Sequence, residues 1–413
     1  MADLISTRSR GPIIAVLGIG QVLVWGSSYY LPAVLAKPIA TQTGWPLSWV
    51  IGGLSLGLLV SGLVSPRVGD LIEQYGGRPV LKASAALMGV GLAILAAAPT
   101  LLVFTLGWIV LGAAMGTGLY DPAFAALGRL YGERARTSIT SLTLIGGFAS
   151  TVCWPLSALL VERFGWRGTC LTYAGVNALI VLPLYHFGLP AETSRPASLR
   201  HGFATTSATR TLPARNGRDR LLFWLVALTM TLSSIIAAVM SVHLLTILQQ
   251  RGVSLVTAVA FGAVVGPCQV GARLIDLVAG QRTHPVWESL LSAIFAALGL
   301  GLLLMNRDAI LVGLVIYGGG IGLRSIVRGT LPLALFGPQG YPALVGRLAF
   351  PMLLGQAVAP SAGAVLLQHF GGHSLMLTLL GMALITLVLS VVLVPFAQRT
   401  PAIAQASPSV TET

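Results

Sequence analysis

The chain has 413 residues, of which 55% are hydrophobic and only 9% charged, against about a quarter charged in a soluble globular domain. That balance excludes a large aqueous domain. The net charge of +13 is dispersed through short loops between apolar runs, not gathered on one polar module, which excludes a nucleic-acid surface.

A bilayer core takes roughly 20 apolar residues per helical crossing. Taken in chain order, the polar punctuation predicts twelve crossings, over 13–38, 47–66, 80–99, 101–128, 137–161, 168–189, 221–248, 254–279, 287–306, 309–330, 344–369 and 374–397. Arg8 and Arg10 precede the first run as in a signal peptide, but the run is too long for one, so it is expected to be a retained helix. The runs are continuous, unlike the alternating strands of a β-barrel. The 49 glycines and 23 prolines suit membrane helices, whose neighbours re-satisfy freed backbone groups. Cys153, Cys170 and Cys268 lie in or beside apolar runs without metal-ligand spacing, so no metal and no disulfide is expected. The segment 190–220 carries Arg195, Arg200, Arg210, Arg215, Arg218 and Arg220 among Ser, Thr, Ala and Pro, and reads as a flexible cytoplasmic linker. It separates an N-terminal six-helix bundle, 1–189, from a C-terminal one, 221–397. The polar tail 398–413 is expected to be disordered and cytoplasmic.

With the N-terminus inside, all of the 25 Lys and Arg except Lys37, Arg163, Arg167, Arg251 and Arg307 fall on the cytoplasmic side. The positive-inside rule produces such a bias, and one helix more or fewer would scramble it. The halves also repeat each other. Leu71-Ile72-Glu73 and Gly77 recur as Leu274-Ile275-Asp276 and Gly280, and Pro155 and Phe164-Gly165 recur as Pro360 and Phe370-Gly371. Six-helix repeats are how many secondary transporters are built. No Walker-type Gly-Lys-Ser/Thr is present, which argues against ATP-driven work by this chain alone. Among the acids only Asp121 lies well inside a helix, too few for an enzyme's acid–base set, and no cofactor is expected.

The stretch Ser65-Pro-Arg-Val-Gly-Asp-Leu-Ile-Glu-Gln-Tyr-Gly-Gly-Arg-Pro-Val80 resembles the helix 2–3 motif of the major facilitator superfamily, roughly Gly-x-x-x-Asp-Arg-x-Gly-Arg. Gly69, Glu73, Gly76 and Arg78 hold matching or near-matching positions, with Gln74 for the usual Arg. Gly165-Trp-Arg167 after helix 5 is also similar. The resemblance covers nearly the whole chain. It implies an all-α membrane fold of twelve transmembrane helices in two pseudo-symmetric six-helix bundles that rock around a central site. Two departures count against a drug/proton antiporter. Trp108 stands where such exporters carry an Arg four residues before Gly112, and Trp154 precedes Pro155 where they carry Gly. Trp25-Gly-Ser-Ser-Tyr-Tyr-Leu-Pro32, Leu142-Thr-Leu-Ile-Gly-Gly-Phe-Ala-Ser150 and Gly329-Thr-Leu-Pro-Leu-Ala-Leu-Phe-Gly337 look like a proteobacterial branch that includes vitamin importers, riboflavin carriers among them. A multi-pass, monomeric protein of the bacterial inner membrane follows, with the lipid bilayer and a small-molecule solute as its partners.

In this family the helix 2–3 acid latches onto a neighbouring helix end, which makes Gly69, Glu73, Gly76, Arg78 and Arg129 conformational candidates. Asp121 in helix 4 and Arg324 in helix 10 stand at similar depth, at the repeat offset, and are expected to form a gating ion pair; snorkelling to the headgroups is the plainer alternative. Asp121 and His243 are candidates for proton coupling. Trp25, Tyr29, Tyr30, Trp154, Gln269 and Gln356 fall on helices that line the family's cavity. Aromatic faces and amides there suit a flat solute, although tyrosines also form interfacial belts and glutamines bond neighbouring helices. The leading expectation is uptake of a flat, neutral, vitamin-like solute such as riboflavin. Organic-anion or monocarboxylate exchange and drug efflux are the alternatives.

Overall fold

A computed structural model describes residues 10–192, 217–279, 283–305 and 308–397. Most of the expected linker and all of the tail, with Arg195, Arg200, Arg210 and Arg215, lie outside the described residues. Every regular element among the described residues is helical.

In chain order the helices are α1 (Arg10–Gly26), α2 (Leu31–Thr43), α3 (Leu47–Tyr75), α4 (Gly77–Ala97), α5 (Leu101–Gly118), α6 (Tyr120–Tyr131), α7 (Ala135–Gly146), α8 (Ala149–Val176), α9 (Leu182–Gly188), α10 (Gly217–Gln250), α11 (Leu255–Ala279), α12 (Pro285–Met305), α13 (Ile310–Phe336) and α14 (Tyr341–Ala397). A 3₁₀ turn, Gly132–Arg134, joins α6 to α7, and a π-helical segment, Asn177–Val181, joins α8 to α9. Helix α10 begins at Gly217, so Arg218 and Arg220 belong to a helix and not to the stretch read as linker.

Nine continuous helical stretches among the described residues are long and apolar enough to cross a bilayer. Two are too long for one crossing. Leu101–Gly188 runs 88 residues and Tyr341–Ala397 runs 57, and at about 1.5 Å per residue even the shorter would extend far beyond a ~30 Å hydrocarbon core. The chain reverses inside them at Gly132–Arg134, at Gly165 (φ 67°) and at Gly371 (φ 78°). Counted at these reversals, the described residues make twelve spans in two six-helix halves. The first span is α1 with α2, the fourth α5 with α6, and the fifth α7 with the first part of α8.

Gly165 and Gly371 are the repeat mates read from the two Phe-Gly pairs. Both turn back in the left-handed region, which only glycine enters freely, and a side chain at either would meet nothing within 4 Å. The penalty for alanine is therefore purely conformational, about 1–2 kcal/mol at each site. Gly165→Ala and Gly371→Ala should each lower the thermal unfolding midpoint in detergent, additively because the turns are far apart. Equal midpoints for wild type and both variants would contradict this.

The outer surface is apolar, as a lipid-facing protein requires: Leu179, Phe187, Val256 and Val278 are 78–85% exposed. The interior is packed by aliphatic and aromatic side chains, in one cluster that runs from the N-terminal half into the C-terminal half and a second within the C-terminal half. Polar groups are buried between the halves, and they define the site.

Candidate functional site

Three helix breaks in the N-terminal half converge. The first span breaks at 27–30, the fourth at Leu119 (φ −75°, ψ −159°), and the fifth at Gly147 and Phe148. A break inside a membrane strands backbone groups, which must find partners. Ser28 Oγ donates to Val24 O at 2.6 Å, and Asn177 Nδ2 donates to Ser27 Oγ at 3.0 Å. Gln21, fully buried, donates through Nε2 to Gly118 O at 2.7 Å and accepts from Trp25 Nε1 at 3.0 Å. Its amide thus satisfies the fourth span's break and orients the Trp25 ring.

The breaks carry an aromatic cluster. Trp25 lies 5.2 Å from Tyr29, 5.9 Å from Tyr30 and 5.0 Å from Tyr120 between ring centroids. Tyr30 meets Trp154 edge-on at 5.9 Å, and Tyr120 stacks on Phe124 at 5.3 Å. Gln356 of the eleventh span donates to Tyr29 Oη at 3.2 Å across the two halves. Trp25, Tyr29, Tyr30, Trp154 and Gln356 are therefore brought together, and Tyr29 and Tyr30 face inward instead of forming a belt. Tyr120 was not anticipated, because only the break at Leu119 turns it toward Trp25.

Three guanidinium groups approach this cluster from the C-terminal half. Arg273 of α11 is buried; its Nε donates to Ser325 Oγ at 2.9 Å and its Nη1 to Thr143 O, in the other half, at 3.1 Å. Gln269 is drawn in as a partner of Arg273 Nη2, at 3.5 Å. Asp121 pairs with Arg328 and not, as expected, with Arg324. Arg328 Nε donates to Oδ1 at 2.7 Å, and Nη2 donates to Oδ2, a bidentate fork. The expected partner follows from two continuous helices in register; the break at Leu119 displaces Asp121, and Arg328, one turn beyond Arg324, comes opposite it. Arg324 turns into its own half, where Nη1 donates to Ser234 Oγ at 3.3 Å and Nε is buried without a partner. A small cavity between the halves is lined by Trp25, Tyr29, Asp121, Arg328 and Gln356, among others.

The halves are joined at the end of the bundle that carries the loops at 76, 131–135, 283–284 and 337–340, hereafter the basic face. Arg136 pairs with Glu288 and donates to Thr283 O. Thr140 Oγ1 lies 3.5 Å from Asp276 Oδ2. Gly69 of α3 packs directly on Pro342 and Gly346 of α14, where a side chain would overlap the Pro342 carbonyl oxygen. Arg347 reaches Asp70 at 3.7 Å, a partly exposed pair of small energetic consequence.

The helix 2–3 motif is clamped from within its own half. Arg129 Nη1 donates to Ile72 O at 2.8 Å and also to Glu73 O, and Arg129 Nε meets Glu192 Oε2 at 2.6 Å. Glu192 Oε1 in turn accepts from Gly77 N at 2.9 Å, beside Gly76 (φ 88°). Arg78 lies in the first turn of α4. Glu192 and Arg136 were missed: Glu192 falls inside the stretch 190–220 read as a flexible linker, and Arg136 reads as an ordinary loop cation. His243 joins the seventh span to the eleventh, its Nε2 lying 2.9 Å from Pro360 O. Among the described residues no group of three His, Cys, Asp or Glu is placed to hold a metal ion.

Comparison with known proteins agrees with this architecture. The chain is 30% identical over 308 residues to monocarboxylate transporter 11 of Homo sapiens, covering 71% of this chain and 61% of that protein. It thus spans about three fifths of that relative's length. It is 27% identical over 201 residues to the multidrug resistance protein MdtH of Aeromonas hydrophila, covering 46% and 48% of the two chains. The crystal structure of the human organic anion transporter MFSD10 (TETRAN) superposes with a TM-score of 0.75 at 16% identity, over 92% of this chain and 99% of that one, a likeness of fold. Riboflavin finds no support among these relatives. The model of the Major Facilitator Superfamily matches residues 17–327, so the chain belongs to that family and is a multi-pass membrane protein.

Proposed function

We propose that the chain carries small organic anions, monocarboxylates foremost, by alternating access. One observation carries this reading: Arg273 and Arg328 reach the aromatic cluster, Arg324 lies one turn behind in its own half, and Asp121 is the single acid paired among the three. Two guanidinium charges are left without a carboxylate. At about 4 Å and an effective dielectric near 20, a bound carboxylate gains about 4 kcal/mol from one such charge. The rings of Trp25, Tyr30 and Tyr120 supply an apolar wall for the rest of the solute. The monocarboxylate transporters among the relatives support the same class. A neutral flat solute would use the rings yet leave Arg273 uncompensated.

Arg273 is the carboxylate anchor. Its Nη1 shares the Thr143 carbonyl with Tyr120 Oη of the aromatic wall and so already bridges the halves, and a solute bound there competes with an inter-half contact. The positive-inside rule makes the basic face cytoplasmic, with both termini inside, in a bacterial inner membrane. The conformation described is then closed to the cytoplasm, and the halves, about 1–189 and 217–397, rock open by releasing Asp121–Arg328, Arg136–Glu288 and the Gly69–Gly346 contact. Asp121 serves the gate in this scheme, not proton carriage, and His243 serves packing.

The test is uptake of radiolabelled short-chain monocarboxylates into proteoliposomes. Wild type should show saturable uptake, and Arg273→Gln should reduce it about 100-fold, as losing one buried charge-assisted contact of about 3 kcal/mol implies. Uptake of neutral vitamins but of no carboxylate would overturn the reading.

A further inference from the structure

The C-terminal half encloses a second cavity, behind the gate and away from the aromatic wall. It lies among the seventh, ninth, tenth, eleventh and twelfth spans and is lined by Arg324, Arg328, Ser234, Ser289, Ser292 and Thr386, with apolar residues around them. The cavity has room for about one water-sized particle. That admits one water or one monatomic ion and is too small for an organic solute.

The charge inside is unbalanced. An arginine stays ionised in proteins, and it carries five N–H donors. Arg324 uses one of them, in a long contact to Ser234, and its buried Nε has no partner. No carboxylate lines the cavity. Arg328, one turn along, is engaged by Asp121 on its far side, and Arg273 on the neighbouring helix adds to the positive potential at Arg324. Water would satisfy the orphaned N–H but leave the charge, and an isolated buried charge is among the costliest features a protein can hold. A cation is excluded by the same field.

The hydroxyls complete the site. Ser234 Oγ accepts from Arg324, which leaves its own proton free to point into the cavity. Ser289 Oγ lies 3.4 Å from Ser390 Oγ, a long hydrogen bond in which either hydroxyl can donate and which an anion can outcompete. Ser292 donates to Gly320 O at 2.8 Å and stays committed. The donors available are thus Arg324 Nε, Ser234 Oγ and Ser289 Oγ.

We propose that this cavity is a binding site for a small monovalent anion of the halide class, chloride foremost, separate from the organic solute's site at Arg273. The bound ion neutralises Arg324, so the tenth span can pack against the seventh and ninth. The carboxylate head of a solute offers related chemistry, and the experiment separates the two sources.

Thermal unfolding of the purified full chain is measured in detergent, without organic solute, in sodium chloride, sodium bromide and sodium gluconate at equal ionic strength. Chloride and bromide should raise the midpoint over gluconate by about 2–4 °C, saturably. Arg324→Gln should abolish the difference, and Ser234→Ala with Ser289→Ala should weaken the halide's apparent affinity about tenfold or more. Should Arg324→Gln fail to fold, the serine double variant and radiolabelled chloride binding to the wild type decide the matter. Arg273→Gln should keep the whole halide shift while losing monocarboxylate uptake, so loss of uptake specificity alone strikes the transport reading and not this one. Equal midpoints in chloride and gluconate overturn the proposal. So does a stabilisation by acetate that chloride does not match, or a halide shift that vanishes in Arg273→Gln.

Discussion

Asp121→Asn is expected to damage the carrier more than removing both ends of its ion pair. The side chains of Asp121 and Arg328 are only 9% and 12% exposed. Taking one charge from a buried pair leaves the other uncompensated, at about 3–5 kcal/mol, whereas replacing both by neutral groups is often mild. Here the stranded charge would join Arg324 and Arg273, neither of which has a paired acid. Asp121 also opens α6, where the helix N-terminus favours an anion by a further ~0.3–1 kcal/mol. Because the pair bridges the halves, the loss falls on the closed state of the basic face, and about 3 kcal/mol shifts its population more than 100-fold. Asp121→Asn should therefore widen the distance between spin labels on the basic-face ends of the fourth and tenth spans and abolish uptake. Asp121→Asn with Arg328→Gln should recover much of the closed population. The charge swap Asp121→Arg with Arg328→Asp should recover less, since it places a cation at the α6 N-terminus. Additive effects of the single substitutions would show that the two residues do not work as a pair.

This pair also marks where reading the chain succeeds and stops. Twelve spans and the two-half plan follow from hydropathy and from the Phe-Gly repeats, whose glycines do turn back at Gly165 and Gly371. The aromatic cluster was legible because Trp25, Tyr29 and Tyr30 fall within six residues of one apolar run. Its fifth ring was not. Tyr120 and the true partner of Asp121 both depend on the break at Leu119; Pro122, which withholds an N–H from Gly118 O, signals a loosened helix there but not the direction in which it turns. On substrate, riboflavin is unsupported and the organic-anion alternative is the one the relatives fit, for a related reason. Arg273, Arg324 and Arg328 look like inner-face cations to a charge count, and only their burial shows two of them to be unbalanced. Glu192 and Arg136 were invisible because their partners lie 63 and 152 residues away.

Gly69→Ala and Gly346→Ala should separate function from stability. An alanine methyl at Gly69 would overlap the Pro342 carbonyl oxygen and lie 3.2 Å from Gly346 Cα; one at Gly346 would overlap the Ser65 carbonyl oxygen and lie 3.1 Å from Gly69 Cα. Each obstacle is backbone in a packed helix, so no rotamer change relieves it. Overpacking of this kind costs about 1–3 kcal/mol. The clash exists only while the third and fourteenth helices touch across the halves, so it weighs on the closed basic face alone and shifts that equilibrium about 5- to 100-fold. Within either helix the same substitution is favourable, by about 0.5–1 kcal/mol. The open carrier should then be at least as stable as the wild type, with an unchanged or raised unfolding midpoint, while uptake falls and the basic-face ends of the second and eleventh spans move apart in spin-label distance measurements. The double substitution should be worse than either single, because each methyl fills the room the other needs. Unchanged uptake and distances in both variants would mean that these two glycines do not form the closing contact, and the gate would rest on the Asp121–Arg328 and Arg136–Glu288 pairs alone.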